Sequence, residues 1–182
     1  GGRLLWHTDG TPEGTVVFYD FAGWGGSSRH VFAALGDRVY LGWRDELWGT
    51  NGTTPGTRRI AAFPGWVENL CAADDRLFLT VEGALWSVDP TADPGRLLAQ
   101  FDYAGPPAPV AGRVVLFADD GVHGFEPWAS DGTAVGTVPL GDLMPGPYAS
   151  CEDECDLVVA GELAYFKARI SQGEDSLWVT DG

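Results

Sequence analysis

Apolar residues occur along the chain in short segments separated by Gly, Pro, Asp and Asn, and no segment of useful length has the i, i+3, i+4, i+7 spacing of an amphipathic helix. These segments are too short for globular helices but suit β-strands. Four of them are almost wholly apolar, which is typical of strands covered on both faces. They contain residues 39–41, 77–79, 114–117 and 163–166. The pattern predicts an all-β protein with almost no helix.

A tryptophan followed by a turn sequence recurs along the chain. Successive members of this set are 42, 38, 42 and 50 residues apart, and a shared pattern at such a period marks repeated supersecondary units. The set consists of Trp6, Trp48, Trp86, Trp128 and Trp178. We expect units that start near residues 3, 45, 83, 125 and 175, giving four complete units and the first strand of a fifth.

Each complete unit has room for four strands. The tryptophan strand ends at Asp-Gly or Asn-Gly in three of the four units, a pair suited to tight hairpin turns, and a second hairpin follows a Gly/Pro-rich loop. Four short antiparallel strands per unit describe the blade of a β-propeller. We predict one β-propeller-like array, or a fragment of one, over residues 1–182. A β-sandwich and a stacked solenoid are the alternatives.

Two copies of the turn sequence carry a recognisable motif. Residues 46–57 read ELWGTNGTTPGT, and residues 126–137 read EPWASDGTAVGT. They resemble the E-L-W-x-x-D-G-T-x-x-G-T repeats of large bacterial proteins. This resemblance implies propeller blades in a secreted or surface-attached protein, and it implies no general enzymatic role. The third copy departs from the motif because residues 89–95 lack both turn glycines, and the fourth unit is longer than the others.

The chain is strongly acidic, with 11 Lys and Arg against 26 Asp and Glu and a formal charge of −15. Phosphate groups would meet like charge on such a surface, so we predict no nucleic-acid partner. The longest apolar runs are far shorter than the roughly 18 residues that a membrane span needs. We therefore predict no membrane insertion.

Most motif residues have a structural interpretation. The recurrent tryptophans suit packing between blades. We expect Asp9, Asn51 and Asp131 to form turns by accepting nearby backbone N–H groups. No acidic cluster has the D-x-D-x-D-G spacing of a calcium loop, so we predict no cofactor, with Ca²⁺ in the fourth unit as the open alternative.

An aromatic residue recurs in the loop between the second and third strands of each unit. Corresponding loops of a propeller emerge on one face, so these side chains would form an arc suited to stacking on sugar rings or anchoring a protein partner. The alternative is that they fold back over the blade ends. The four residues are Trp24, Trp66, Tyr103 and Tyr148.

The three cysteines predict one local disulfide. We expect Cys151 and Cys155 to be bonded to each other across three acidic residues, and Cys71 to be free and buried. Such a bond requires an oxidising compartment, which agrees with the secreted or surface location that the repeat resemblance implies.

These observations leave three functional hypotheses. The first is a non-catalytic extracellular or cell-surface module that recognises protein or carbohydrate through the aromatic arc. The second is an architectural repeat within a larger chain or surface assembly. The third is a hydrolase with carboxylates at a propeller pore, for which the 26 acidic residues offer no specific choice.

Overall fold

A computed structural model of the protein describes residues 3–21, 30–151, 155–171 and 174–182. All the helical or strand structure in those ranges is β-strand, which confirms the all-β prediction. No helix in the described ranges is therefore long and apolar enough to cross a membrane.

The described strands form five antiparallel sheets, which follow one another along the chain. The first sheet contains β1 (Arg3–His7) and β2 (Val16–Phe21). The second contains β3 (His30–Leu35), β4 (Arg38–Trp43), β5 (Glu46–Thr50) and β6 (Arg58–Ala62). The third contains β7 (Val67–Ala73), β8 (Arg76–Val81), β9 (Ala84–Asp89) and β10 (Asp93–Gln100).

The fourth sheet has an interrupted first strand, because β11 (Tyr103–Ala104) and β12 (Ala108–Val110) both pair with β13 (Arg113–Asp119). It continues with β14 (Phe125–Ser130) and β15 (Thr137–Pro139). The fifth sheet contains β16 (Val158–Ala160), β17 (Leu163–Ser171) and β18 (Glu174–Thr180). Strands within each sheet pair in chain order.

The sheets do not have the boundaries of the sequence repeat, which corrects the predicted grouping into four sheets and one orphan strand. Each unit was expected to begin a sheet with its tryptophan strand, but β5 is the third strand of the second sheet and pairs with both β4 and β6. Residues 44–45 and 51–57 form the turns on its two sides, so it is held between its chain neighbours. The chain passes to the third sheet through residues 63–66.

The Asp-Gly-Thr turn is closed by a network of side-chain hydrogen bonds. Asp131 Oδ1 accepts hydrogen bonds from Thr133 N (2.9 Å) and Thr133 Oγ1 (2.7 Å). Thr133 Oγ1 in turn accepts one from Gly136 N (2.9 Å), and Thr137 Oγ1 donates to Thr133 O. A Cβ on Gly136 would overlap the Asp131 carboxylate, so the motif requires glycine there.

The same network closes the turns at Asp9 and Asn51. The hydrogen bonds from Thr11 and Thr133 lower the pKa values of Asp9 and Asp131, and Thr91 lowers that of Asp89 in the same way.

Adjacent sheets pack through a recurring aromatic contact. In three successive interfaces, a phenylalanine at the end of one sheet's last strand meets the tryptophan of the next sheet, with ring centroids about 5 Å apart. The pairs are Phe21 and Trp48 (5.1 Å), Phe63 and Trp86 (5.4 Å), and Phe101 and Trp128 (4.9 Å). Trp178 of the fifth sheet packs against a cluster that includes Phe117 of the fourth sheet and Cys151. Among the described residues, no phenylalanine packs on Trp6 in this way, and Trp6 is 58% exposed.

Candidate ligand-binding site

Two of the aromatic residues that the sequence singled out, Trp66 and Tyr148, lie in connections between sheets. Tyr103 was predicted in such a loop but is the first residue of β11, where it pairs with Asp119. Trp66, Tyr103 and Tyr148 are 57–59% exposed, so they are not folded back into the core. Trp24 lies outside the described residues.

These loops are tied to corresponding ends of successive sheets. Each one hydrogen-bonds the backbone at the connection between the second and third strands of the sheet it leaves. Phe63 N donates to Asp45 O (2.7 Å), and Phe101 N donates to Gly83 O (3.1 Å). In the fourth sheet, Ser150 N donates to Phe125 O (3.2 Å). The three described aromatics therefore lie near corresponding ends of three consecutive sheets, although Tyr103 belongs to β11 and Tyr148 precedes the tied residue Ser150.

Of the predicted aromatic residues that the structure describes, Tyr103 lines a sizeable cleft. A cavity of about 570 Å³ lies at the junction of the fourth sheet and the segment that leads into the fifth. Tyr103 forms part of its wall, and the Tyr103 ring packs on Phe125 with centroids 5.4 Å apart. Phe117 lies beyond it, 5.7 Å from Phe125. This volume lies within the range of roughly 300–1,000 Å³ that small-molecule sites occupy.

The opposite wall of the cleft is formed by the two cysteines and the residues that follow them. Cys151 and Cys155 are joined by a disulfide bond, and both line the cleft together with Asp156 and Leu157. The bond closes a loop of only a few residues, so it removes little chain entropy and contributes little to the stability of the whole fold. Trp66 and Tyr148 are not among the residues that line the cleft, although Ala149 is.

The third cysteine has no part in the cleft. Cys71 carries a free thiol on β7, as predicted, but it is partly and not fully buried, and it packs against the core cluster that includes Phe78 and Leu85. Burial raises the pKa of the Cys71 thiol to about 12. It is therefore a small apolar core residue and not a reactive one.

Two carboxylates line the cleft beside the aromatic rings. Asp119 stands at the end of β13, where its Oδ1 accepts a hydrogen bond from Gly121 N (2.8 Å). Asp156 lies on the opposite wall. The cleft thus combines an exposed phenol ring, an apolar floor and acceptor oxygens on two sides.

The acidic turn after β13 is organised by its own hydrogen bonds. Asp120 Oδ1 accepts N–H groups from Val122 and His123, and Asp120 Oδ2 lies 2.8 Å from His123 Nδ1. The hydrogen bond and charge of Asp120 raise the pKa of His123. Within the described ranges no three His, Cys, Asp or Glu side chains are grouped as a metal site would require. Residues 152–154 lie outside those ranges. They belong to the fourth unit, where the sequence left a Ca²⁺ site as an alternative.

A buried glutamate holds the loop that leads to the disulfide. Glu126 is only 1% exposed, and its two carboxylate oxygens accept hydrogen bonds from Leu143 N and Met144 N, both at 3.1 Å. Burial raises the pKa of Glu126, and the hydrogen bonds to its carboxylate oppose that effect. Glu46, at the same repeat position, instead accepts hydrogen bonds from Trp48 Nε1 (3.0 Å) and Arg59 (2.7 Å).

Sequence reasoning did not identify Phe117, Phe125, Asp156 or Glu126 as site residues. The first two are separated from the disulfide by more than 25 residues, and only strand pairing brings them together. One available signal was the 50-residue step to Trp178, because the additional residues form the loop that Glu126 anchors and that ends at Cys151.

Comparison with known proteins finds similar folds but identifies no activity. No protein-family model matches the chain. No curated protein matches it in sequence. The structure is similar to that of the computationally designed Ika4 protein, with 17% identity, a TM-score of 0.56, and coverage of 85% of this chain and 92% of Ika4.

It is also similar to the computationally designed Ika8 protein, with 16% identity, a TM-score of 0.53 and coverage of 90% of this chain. The chain spans about half the length of Ika8, 49%. At these identities the likeness concerns the fold alone.

Proposed function

We propose that the protein is a non-catalytic recognition module that binds carbohydrate in the cleft beside Tyr103. The observation that carries this proposal is the half-exposed Tyr103 ring, which Phe125 supports from behind at 5.4 Å. A supported aromatic ring offers a flat apolar surface that loses little side-chain entropy on binding. The C–H face of a sugar ring matches such a surface.

The polar groups of the cleft favour hydroxyl groups over anions. Asp119 and Asp156 offer acceptor oxygens on two sides of the aromatic floor, and a sugar can donate O–H groups to both. A phosphate or carboxylate ligand would instead meet repulsion from these side chains and from the net charge of −15. We therefore favour neutral or basic glycans over nucleotides and acidic sugars.

We further propose that the five sheets are successive blades of a β-propeller and that the protein acts outside the cell. The repeated contact between a terminal phenylalanine and the next tryptophan supports a blade-like succession, because each sheet packs on its neighbour in the same way. The Cys151–Cys155 disulfide in the wall of the cleft supports an oxidising compartment.

A glycan array followed by titration tests this function. The wild-type protein is applied to immobilised neutral, basic and acidic glycans, and any ligand found is titrated against wild type, Tyr103→Ala and Trp66→Ala. Both aromatics are equally exposed, but only Tyr103 lines the cleft, so Trp66→Ala is a matched control. We expect Tyr103→Ala to weaken binding at least about tenfold and Trp66→Ala to change it less than about twofold.

The outcomes separate the hypotheses. No bound glycan would overturn carbohydrate recognition, and equal losses from the two variants would overturn the assignment to this cleft. Recovery of an intact glycan after prolonged incubation is expected from a non-catalytic module, whereas cleavage would support the hydrolase hypothesis.

The architectural alternative is supported by a different observation. The outer faces of the first and fifth sheets expose Trp6 and Leu177, respectively. The counterparts Leu47 and Leu85 of Leu177 are buried, and Trp48, a counterpart of Trp6, is partly buried.

A further inference from the structure

The outer face of the fifth sheet exposes residues whose repeat counterparts are buried. Leu177 precedes Trp178 and is 79% exposed, whereas Leu47 and Leu85, which precede their own tryptophans, are both 0% exposed. Val179 on the same face is also exposed. In the second sheet the corresponding face packs against the third, where Leu47 joins a core cluster with Val67 and Leu77.

The first sheet exposes the opposite face, the one that carries its tryptophan. Trp6 and Leu4 point to this face together, since they are two residues apart on β1, and both are exposed. Trp48, which occupies the position of Trp6 in the second sheet, is instead packed against Tyr19 and Phe21 of the first sheet.

These two exposed faces are of the same two kinds that pack against each other between neighbouring sheets inside the protein. At the first three internal interfaces, the face that carries the leucine before the tryptophan (the leucine face) packs against the face of the next sheet that carries its tryptophan (the tryptophan face). The fifth sheet exposes a leucine face, and the first sheet exposes a tryptophan face. Charge adds nothing to this match, because Lys167, the cross-strand partner of Leu177, already forms an ion pair with Asp175 (2.6 Å). The match therefore rests on the packing of the apolar faces.

We propose that a second copy of this chain binds head to tail, with the leucine face of its fifth sheet against the tryptophan face of the first sheet. The contact continues the internal sheet interfaces across the boundary between two molecules. It is a heterologous interface, in which different surfaces of the two copies meet, so it generates a closed ring or an open filament depending on the rotation between copies. This proposal does not depend on the carbohydrate site.

Disulfide trapping tests the arrangement directly. Leu177→Cys and Trp6→Cys proteins are mixed under mild oxidation, and we expect a covalent heterodimer that neither variant forms alone. Val135→Cys is the matched control, because Val135 is 92% exposed in the turn between β14 and β15 of the fourth sheet, and it should not trap with either variant. All variants also carry Cys71→Ser, because Cys71 is a free and only partly buried thiol.

Three results would overturn the proposal. Efficient dimers of Leu177→Cys alone would indicate a symmetric contact. A bond within one molecule of the Leu177→Cys, Trp6→Cys double variant would show that the two faces close on each other in a single chain. A constant monomer mass in sedimentation equilibrium across the accessible concentration range would exclude association.

A non-covalent measurement provides the second readout. Leu177→Lys places a charge on the leucine face and should raise the dissociation constant of the wild-type assembly at least about tenfold. Val135→Lys adds the same charge elsewhere and should leave that constant nearly unchanged. Because both side chains are exposed in the monomer, near-native circular dichroism is expected for both variants. Equal effects of the two would show that net charge alone governs association and would overturn the assigned face.

Discussion

Replacing Glu126 tests whether the loop beside the cleft is held by one buried carboxylate. Its oxygens accept the N–H groups of Leu143 and Met144, and the side chain is almost completely buried. Glu126→Ala would leave both amides without this acceptor, and each unsatisfied buried donor costs about 1–3 kcal/mol. With the lost packing included, we expect the free energy of unfolding to fall by about 3–5 kcal/mol.

Glu126→Gln separates hydrogen bonding from packing. The amide oxygen can accept one N–H group, but the NH₂ group then faces the other as donor against donor. We expect a loss of about 1–3 kcal/mol, smaller than that of the alanine variant. Glu46→Gln is the matched control at the same repeat position, where the carboxylate forms a partly exposed ion pair with Arg59, and it should cost less than about 1 kcal/mol.

The assay combines urea unfolding, followed by tryptophan fluorescence, with amide hydrogen exchange. Exchange at Leu143 and Met144 should accelerate strongly in Glu126→Ala and remain unchanged in Glu46→Gln. Unchanged exchange at both amides, or a larger loss of stability in the Glu46 variant, would refute the assigned anchor.

The dependence of this effect on pH follows from the raised pKa of Glu126. A carboxyl whose folded-state pKa lies above its unfolded value binds more protons when folded, so this group's contribution to stability is greatest below the unfolded pKa. It declines as the pH rises through the interval up to the folded pKa. The stability difference between wild type and Glu126→Gln should therefore narrow as the pH rises from about 4.5 through this interval. A difference that widened with pH would contradict the cause assigned to the shift.

Three further predictions concern residues outside the cleft floor. Gly136→Ala should displace the Asp131 carboxylate and shift its lowered pKa back toward the ordinary value, as two-dimensional NMR titration would show; an unchanged pKa would contradict the overlap. Native Cys71 should react with iodoacetamide at pH 8 at least about tenfold more slowly than in the unfolded chain, because desolvation raises the pKa of its thiol; equal rates would show that the thiol is accessible. The pKa of His123 should fall in Asp120→Asn, and the pairing that stabilises this turn should be lost as the pH rises through the wild-type pKa; an unshifted His123 titration would exclude the pairing.

The local features of the fold were predictable because short-range chemistry determines them. The turns at Asp9, Asn51 and Asp131 depend on side chains within seven residues of one another, and the sequence shows every participant. The nearly apolar segments become central strands such as β8 and β13 for the same reason: their composition requires cover on both faces.

The grouping of strands into sheets was not predictable in the same way. A repeat can be divided at any point of its period, and the prominent tryptophan suggested a boundary that the chain does not use. The short connection between β4 and β5 fixes the pairing, because Trp43 and Glu46 are direct partners across it. The tight turn that joins β4 to β5 was therefore a better guide to their pairing than the prominence of the tryptophan.

The candidate site arises where the repeat is least regular. Three interfaces are closed by the terminal phenylalanines Phe21, Phe63 and Phe101, whereas Trp178 of the fifth sheet packs within a cluster that includes Leu143 and Cys151. The loop that Glu126 holds by hydrogen bonds contributes no phenylalanine ring to this interface. The cleft opens beside the end of this loop, at Ala149 and Cys151. The regular contacts thus provide a rigid series of sheets, and the irregular one provides a surface whose chemistry can differ from that of its neighbours. For this reason we assign recognition to the junction at Tyr103 and assembly to the outer faces of the first and fifth sheets.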